Sequence, residues 1–444
     1  VFVFWELMAV GSTLVLWSAG TPAAWAASRR YVMIHLLGGV ILFAGVTGHL
    51  IDTGDAAFAR MAPDSIAHWL ILAGFLINAG APPLSAWLPD AYPEASWSGT
   101  VFLSAFTTKT AVYVLLRGFP GTELLIWVGL AMVFYGIIYA LLENDMRRIL
   151  AYSIVNQVGF MIAGIGIGTE MALNGAAAHA FTHIIYKALL LMSAGSVLLM
   201  TNRRKCSELG GLFHTMPLTT VCGTIGALAI SSFPLTSGFV SKSMVSQAAA
   251  DGHLLTVWLL LTAASAGVFL HAGIKFPWFV FFQKDSGLRP AEPPASMRWA
   301  MVFFAFLCIA LGVWAEPLYA LLPYEVKYEP YTWAHVLTQT QLLLFSGLAF
   351  FVMLPYLKRT LTITLDTDWV WRRLLPGLLR AFTPLLSATR HAAGTTVKAT
   401  VQAAQATVER THGLDSRLAK TWPTGRMGLA VLILLLGYLL LYYL

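Results

Sequence analysis

The sequence predicts an all-α polytopic membrane protein, and three observations carry that prediction. Of the 444 residues, 58% are hydrophobic and only 11% are charged. This leaves too few polar side chains to cover a soluble protein of this size. Long apolar runs such as 127–142, 258–282 and 427–444 approach or exceed the length that spans hydrocarbon. The sequence also lacks the short segments of alternating polarity that a transmembrane β-barrel needs.

Twelve segments are predicted to span the membrane. Their approximate bounds are 1–19, 31–51, 64–84, 97–117, 123–142, 147–168, 172–200, 215–249 with a break, 254–282, 298–322, 337–357 and 427–444. If the helix of Glu6 runs inward, every cluster of basic residues falls on one side, as the positive-inside rule requires of cytoplasmic loops. These clusters are Arg29/Arg30, Arg147/Arg148, 203–205, Lys284/Arg289/Arg298 and Lys358/Arg359. The net charge of +7 therefore reflects topology, and no nucleic-acid partner is expected.

Composition divides the chain into three parts. Residues 1–357 are predicted to form the transmembrane core, 358–426 a polar segment and 427–444 a C-terminal anchor. Within the middle part, 375–413 is predicted to be an amphipathic lateral helix on the membrane surface or against neighbouring helices. The chain opens without Met in apolar sequence, and we expect N-terminal helices to be missing.

Three places depart from simple helical sequence. Gly80-Ala-Pro-Pro83 ends the third segment early, and 231–238, which contains Pro234, interrupts the eighth. A cluster of polar residues that includes Tyr152, Ser153 and Asn156 lies just inside the sixth. Backbone freed from helical hydrogen bonding at membrane depth is tolerated only where protein or water satisfies it. Broken helices at the midplane are typical of transporter sites.

Ionisable residues inside these apolar segments are the strongest functional signal. They are Glu6, Lys109, His179, His183, Lys187 and Lys242. A charge in hydrocarbon is expensive, so such residues usually face a bundle interior or a wet cavity. His179, His183 and Lys187 follow i, i+4, i+8 spacing and therefore share one helix face. Imidazole relays protons through its two nitrogens, and the set predicts a route for protons or small cations.

Other interpretations stay open for several of these residues. Glu6 could reach headgroup water from a helix end, and Lys242 could anchor an interface. His179 and His183 could be structural, or could bind zinc, but no Glu or Cys lies beside them to complete a coordination shell. The three cysteines show no paired or metal-ligand spacing, and no cofactor motif is visible, so neither metal nor cofactor is expected.

The order of the motifs resembles the antiporter-like subunits shared by Mrp-type cation/proton antiporters, respiratory complex I and membrane-bound hydrogenases. The matching stretches are Pro83-Leu-Ser-Ala-Trp-Leu-Pro-Asp-Ala-Tyr-Pro-Glu-Ala, Thr108-Lys-Thr-Ala-Val-Tyr, Asp145-Met-Arg-Arg-Ile-Leu-Ala-Tyr-Ser, His179-xxx-His183-xxx-Lys187 and Ser237-Gly-Phe-Val-Ser-Lys242. Five motifs in the right order, over most of residues 1–250, make the resemblance specific.

The resemblance implies two inverted five-helix repeats, each with a broken helix, and four helices before that of Glu6. The broken helices would be those carrying Tyr152–Asn156 and Pro234. Glu6 would be the modulating glutamate, Lys109 and Lys242 lysines of a hydrophilic axis, and the histidines its link. One departure matters, since the lysine expected to pair with the glutamate is replaced by Asn78. Asparagine can hold water or a cation but cannot carry a proton, so that switch is absent or altered.

The resulting expectation is a proton-conducting subunit of a multi-subunit Na⁺/K⁺–proton antiporter of Mrp type in the bacterial inner membrane. It would be a secondary transporter component that works with other membrane subunits, rather than an enzyme. One alternative is an antiporter-like pumping subunit of a complex I-like or hydrogenase-like redox assembly. Another is a non-transporting scaffold or a partner subunit in inorganic-carbon uptake, for which Asn78 is the best argument.

Overall fold

The structure is a computed structural model that describes residues 1–356, 366, 369–374, 376–378, 401–404, 406–407, 410 and 424–443. The chain divides into two compact units, Val1–Asp368 and Trp369–Leu444. The first unit contains the helices α1 to α14, and the second contains the C-terminal helix α15. Most of the predicted lateral helix at 375–413, and most of the segment 358–426, lie outside the described residues.

The fold is all-α, as the sequence predicted. The helices are α1 Phe2–Trp17, α2 Pro22–Thr53, α3 Ile66–Ala79, α4 Trp87–Ala91, α5 Gly99–Gly118, α6 Leu124–Leu142, α7 Met146–Ile167, α8 Glu170–Thr201, α9 Pro217–Ile230, α10 Ser237–Asp251, α11 Leu255–Val268, α12 Ala295–Val313, α13 Glu316–Tyr319, α14 Trp333–Met353 and α15 Thr424–Tyr443. Helix α11 continues in π-helical form through Phe269–Lys275 and Trp278–Phe282.

Each of the twelve predicted segments falls on one of these helices or on a pair of them. Within the described residues, eight helices are long and apolar enough to cross a membrane. The chain is therefore a multi-pass membrane protein. Arg29 and Arg30 were predicted to lie in a loop, but they lie within α2, whose Thr21 cap starts the helix earlier than expected.

The two broken regions are at 80–86 and 231–236. Helix α3 ends at Ala79, where Gly80 has a left-handed φ of 80° that side chains other than glycine rarely adopt. Helices α9 and α10 are separated by a turn in which Ser232 and Leu235 both have positive φ. Such interruptions leave backbone carbonyl groups without helical partners at membrane depth.

The predicted break at Tyr152–Asn156 is wrong, because α7 runs without interruption from Met146 to Ile167. The Asp145 carboxylate accepts hydrogen bonds from the N–H groups of Arg147 and Arg148 and caps its first turn. The polar side chains that suggested a break bond instead to neighbouring helices and to Asp366. In this half of the chain the break lies between α3 and α4.

Helix α7 lies at the centre of the first unit, and its most apolar stretch is completely enclosed by protein. Glycines bring α6 against it, since a Cβ at Gly129 or Gly159 would lie 2.5 Å from a backbone oxygen of the other helix. Helix α8 contacts α7, α5, α9, α10 and α12. This packing puts the ionisable residues of α5, α8 and α10 in the interior.

Candidate functional site

Helix α8 supplies the centre of the candidate site. His179, His183 and Lys187 lie on its enclosed face, and each residue is 0% exposed. The i, i+4, i+8 spacing places them about one helical turn apart along the helix axis. The sequence prediction that these three residues face the protein interior agrees with their position.

Lys109 lies at the middle of α5, which packs against α8. Only 7% of the residue is exposed. Its Nζ donates to the carbonyl oxygen of Ser104 at 2.7 Å and to Oγ1 of Thr108 at 3.2 Å. Because α5 packs against α8, Lys109 belongs to the same enclosed region as the residues of α8.

His179 is held by side chains from three helices. Its Nε2 is 3.0 Å from Oε1 of Gln157 on α7, and its Nδ1 is 3.2 Å from Oγ of Ser241 on α10. The hydroxyl of Tyr186 lies 3.3 Å from the same Nε2 and donates to Gln157 at 3.2 Å. A neutral imidazole with a partner at each nitrogen can accept a proton on one side and release it on the other.

His183 and Lys187 differ in how their polar atoms are satisfied. Both ring nitrogens of His183 are buried without a hydrogen-bond partner among the described residues. Lys187 Nζ donates to Oγ of Ser153 at 3.0 Å and to the carbonyl oxygen of Leu150 at 3.4 Å, both on α7. Since buried polar groups are normally bonded, His183 is the least satisfied of the three candidate-site residues of α8.

Lys242 marks the end of the axis in α10. Its Nζ has no hydrogen-bond partner among the described residues and lies 4.3 Å from the ring centroid of Phe160, close enough for a cation–π contact. The same side chain lines a cavity of about 520 Å³, whose lining includes both polar and apolar side chains, among them Gln247, Thr262, Trp258 and Phe345. The axis therefore meets a cavity at this lysine.

His271 and Lys275, which the sequence analysis missed, extend the site toward the other face. Lys275 Nζ donates to the carbonyl oxygens of Ala140, Leu141 and Glu143 at 2.9, 2.6 and 2.6 Å. His271 Nδ1 bonds to the Gly267 carbonyl at 2.8 Å, and the charges of Lys187, Lys275 and Lys242 act on the ring. The i, i+4 spacing of this pair repeats that of His183 and Lys187 and could have identified it.

The other predicted polar residues border this axis. Asn156 donates to the Val133 carbonyl at 3.0 Å and accepts a short hydrogen bond from Gln157. The Tyr152 hydroxyl donates to Asp366 at 2.5 Å, and Asp366 also accepts from Tyr135 at 2.6 Å. Tyr152 thus belongs to a separate group near the basic end of α7.

Three further predicted residues lie away from the axis. Pro234 lies in the turn between α9 and α10. Asn78 is fully buried at the last turn of α3. Glu6 lies on α1 against Gly39 of α2, and its Oε1 has no hydrogen-bond partner among the described residues.

None of Lys109, Lys187 and Lys242 forms an ion pair with a carboxylate within the described part of the chain. Keeping several unpaired charges in one dry interior is costly. The arrangement thus favours a small number of protons shared among neighbouring sites, with water between them. Groups of these types can pass protons between neighbouring sites.

A bundle of membrane-spanning helices with broken segments and a buried series of lysines and histidines is typical of ion-translocating membrane proteins. A family model described as "NADH:quinone oxidoreductase/Mrp antiporter, TM" matches residues 1–268. The match covers more than half of the 444 residues. The chain belongs to this family.

Known proteins similar to this chain include subunits of cation/proton antiporters. The chain is 30% identical over 337 residues to a probable K(+)/H(+) antiporter subunit of Rhizobium meliloti (strain 1021), covering 70% of this chain but 34% of that protein. It is 29% identical over 345 residues to an Na(+)/H(+) antiporter subunit of Alkalihalophilus pseudofirmus, covering 72% of this chain and 69% of that protein. The matched part thus spans only about a third of the first relative's length.

A solved structure shares the fold. A chain of the Mrp complex from Dietzia sp. DQ12-45-1b superposes with a TM-score of 0.66 and 23% identity, over 71% of each chain. This likeness concerns the arrangement of the helices alone.

Proposed function

We propose that this protein is the proton-conducting subunit of a multi-subunit monovalent cation/proton antiporter of Mrp type. The observation that carries the proposal is the buried series of Lys109, His183, His179 and Lys242, which lie on helices α5, α8 and α10, with α8 packed against the other two. The names of the two antiporter relatives support the substrate class, which comprises protons together with Na⁺ or K⁺. The proposed location is the bacterial inner membrane.

Topology gives the route its two ends. The basic residues beside the start of α7 mark the cytoplasmic side, and Lys275 bonds to the carbonyl groups at the adjacent end of α6. The Lys242 cavity lies among α10, α11 and α14. The route would thus connect the cytoplasmic face near Lys275 and His271, by way of α8, with the Lys242 cavity.

The chemistry at each step is proton transfer between nitrogen bases through hydrogen-bonded hydroxyls, amides and water. Gln157, Tyr186 and Ser241 hold the His179 ring so that one nitrogen faces α7 and the other faces α10. Proton transfer requires groups within hydrogen-bond reach or separated by one water. The unpartnered nitrogens of His183 and the ammonium of Lys242 are the positions at which water would complete the chain.

Replacing Lys109 with Ala tests this function. In inverted vesicles that contain the native assembly, we expect the dissipation of a pH gradient on addition of Na⁺ or K⁺ to slow at least about tenfold, because the axis loses a central proton carrier. Lys284→Ala is the matched control, since Lys284 is exposed outside the bundle. Unchanged transport in an assembled Lys109→Ala complex would contradict the proposal.

The family description also covers redox-driven complexes, in which the same axis would carry protons that are coupled to quinone reduction. Purification of the native assembly and identification of its subunits by mass spectrometry separates the two functions. Antiporter subunits alone would support the proposal. Stoichiometric iron–sulfur or quinone-site subunits would favour the redox alternative.

A further inference from the structure

A second group of polar side chains with buried atoms lies outside the axis, among α1, α2, α3 and the segment 80–95. Within the described residues, these atoms find no hydrogen-bond partner of good geometry. They belong to Glu6, His35, Asn78, Ser85 and Tyr92, which we call the first-half cluster. Since buried polar groups are normally hydrogen-bonded, this group calls for a functional explanation.

His35 lies at the centre of this cluster. The residue is 1% exposed, and neither ring nitrogen has a hydrogen-bond partner of good geometry among the described residues. Its ring lies 3.9 Å from that of Tyr31 and 4.6 Å from that of Trp87, measured between centroids. A structural histidine in a core is normally bonded at one nitrogen or more, and this ring is held by contacts with other rings instead.

Two glycines of α2 bring a carboxyl group and an amide to the same region. A methyl group at Gly39 would overlap Oε1 of Glu6, and one at Gly38 would lie 3.5 Å from Oδ1 of Asn78. Residues 38 and 39 are one turn after His35 on the same helix, and side chains three and four positions apart are neighbours. Glu6, Asn78 and His35 are therefore grouped around one turn of α2.

His35 is the single side chain of this group that can carry a positive charge. Asn78 has no titratable proton, and Ser85 does not ionise in this range. Tyr31 faces the ring from α2 itself, and Tyr92 packs against Trp87, the other ring that contacts His35. Glu6 lies against Gly39, one turn along α2. A proton on this ring would therefore lie about one helical turn from a carboxyl group.

We propose that His35 is the proton carrier of the first-half cluster and that Glu6 is its counter-charge. This inference rests on the proposed function. A proton added to the neutral imidazole gives an imidazolium, which Oδ1 of Asn78 and the Glu6 carboxylate stabilise, and release of the same proton restores the neutral ring. The cluster borders α5, since the Tyr31 hydroxyl lies 3.4 Å from Oγ1 of Thr107, two residues before Lys109.

The test compares His35→Gln with His214→Gln in the native assembly. Glutamine keeps hydrogen-bonding groups but cannot hold an added proton, whereas His214 is exposed outside the bundle. We expect His35→Gln to slow cation-dependent dissipation of the pH gradient at least about tenfold, with unchanged co-purification of partner subunits. Unchanged transport in His35→Gln, together with lost transport in Lys109→Ala, would overturn the role of His35 and leave the proposed function intact.

A second variant separates proton transfer from a packing defect. The double variant His35→Gln/Asn78→Lys returns a protonatable group beside Glu6 while the histidine stays absent. We expect it to recover most of the transport that His35→Gln loses. If the double variant assembles and transports as slowly as His35→Gln, then loss of a protonatable group does not explain the slow transport, and the proposal is wrong.

Discussion

The buried lysines of this protein differ in how many hydrogen bonds their ammonium groups donate. Lys275 donates to three carbonyl oxygens within 2.9 Å, whereas the Nζ of Lys242 has no hydrogen-bond partner and rests over Phe160. An ammonium group that makes all of its hydrogen bonds stabilises the backbone around it. An ammonium group without hydrogen-bond partners lowers stability and remains available to exchange its proton with water.

This contrast predicts opposite effects of the same substitution. Lys275→Met should lower the thermal stability of the assembled protein, because carbonyl groups at the end of α6 lose their donor at a cost of about 1–3 kcal/mol. Lys242→Met should leave stability unchanged or raised, because it removes an unpaired buried charge, and it should abolish transport. Thermal unfolding and vesicle transport measure the two effects. A stability loss in Lys242→Met equal to that in Lys275→Met would contradict this distinction.

Sequence could predict the residues of the axis but could not identify all of their partners. His179, His183 and Lys187 form a pattern within one helix, so local spacing was enough. Gln157 and Ser241, which hold His179, come from α7 and α10, 22 and 62 residues away, and their pairing depends on how the helices pack. His35 carries no motif and was missed, since a lone histidine in an apolar helix is usually structural.

At the scale of elements, the contact between α6 and α7 holds the axis in place. Gly129, Gly136, Gly159 and Gly166 all lie where a Cβ would come within 2.7 Å of backbone atoms of the facing helix. Small residues at such crossings let helix backbones approach closely in membranes. The enclosed position of α7, which carries Gln157 and Ser153 to α8, follows from this approach.

Gly159→Ala tests the importance of that approach. The added methyl group must separate α6 from α7, and we expect a loss of about 1–3 kcal/mol in stability, the usual cost of overpacking, together with slower transport. Gly11→Ala is the matched control, since a Cβ there would meet no heavy atom within 4 Å. Thermal unfolding of both purified assemblies measures the difference. Equal stability of the two variants would show that the helices can move apart freely.

Broken helices were predictable where the backbone itself is restricted, but not where side chains are merely polar. Gly80 and Pro82–Pro83 end α3, and Pro234 lies in the second break, because glycine and proline change the allowed backbone conformations directly. Tyr152 and Asn156 misled the prediction because their side chains bond across to Asp366 and Val133. Polar groups that are satisfied by neighbouring elements leave a helix intact.

At the scale of the first unit, Val1–Asp368, polar residues form a line through an apolar bundle. The line begins with Lys275 beside the basic end of α7, passes the enclosed face of α8 and ends at the Lys242 cavity. Lys109 joins it from α5, the side on which the first-half cluster lies. This arrangement explains why charges are so few in the sequence and why they recur inside apolar segments.

The fold class could be predicted from composition and segment length. These are properties of the whole chain, so an error at a few residues does not change the prediction. The orientation of the helices across the membrane stays a prediction from the placement of arginine and lysine, since these residues determine topology during insertion. The cavity beside Lys242 could not be predicted, because residues from α10, α11 and α14 form it together. Its position depends on packing between helices that are distant in sequence.

The central claim is that water joins the buried bases of the axis, and a cryo-electron microscopy map of the native assembly at a resolution that shows water tests it most directly. We expect ordered waters within hydrogen-bond distance of both His183 nitrogens and of Lys242 Nζ, connecting Lys109 to the Lys242 cavity. A dry interior, in which apolar side chains separate His183 from Lys109 and His179 from Lys242, would contradict the account.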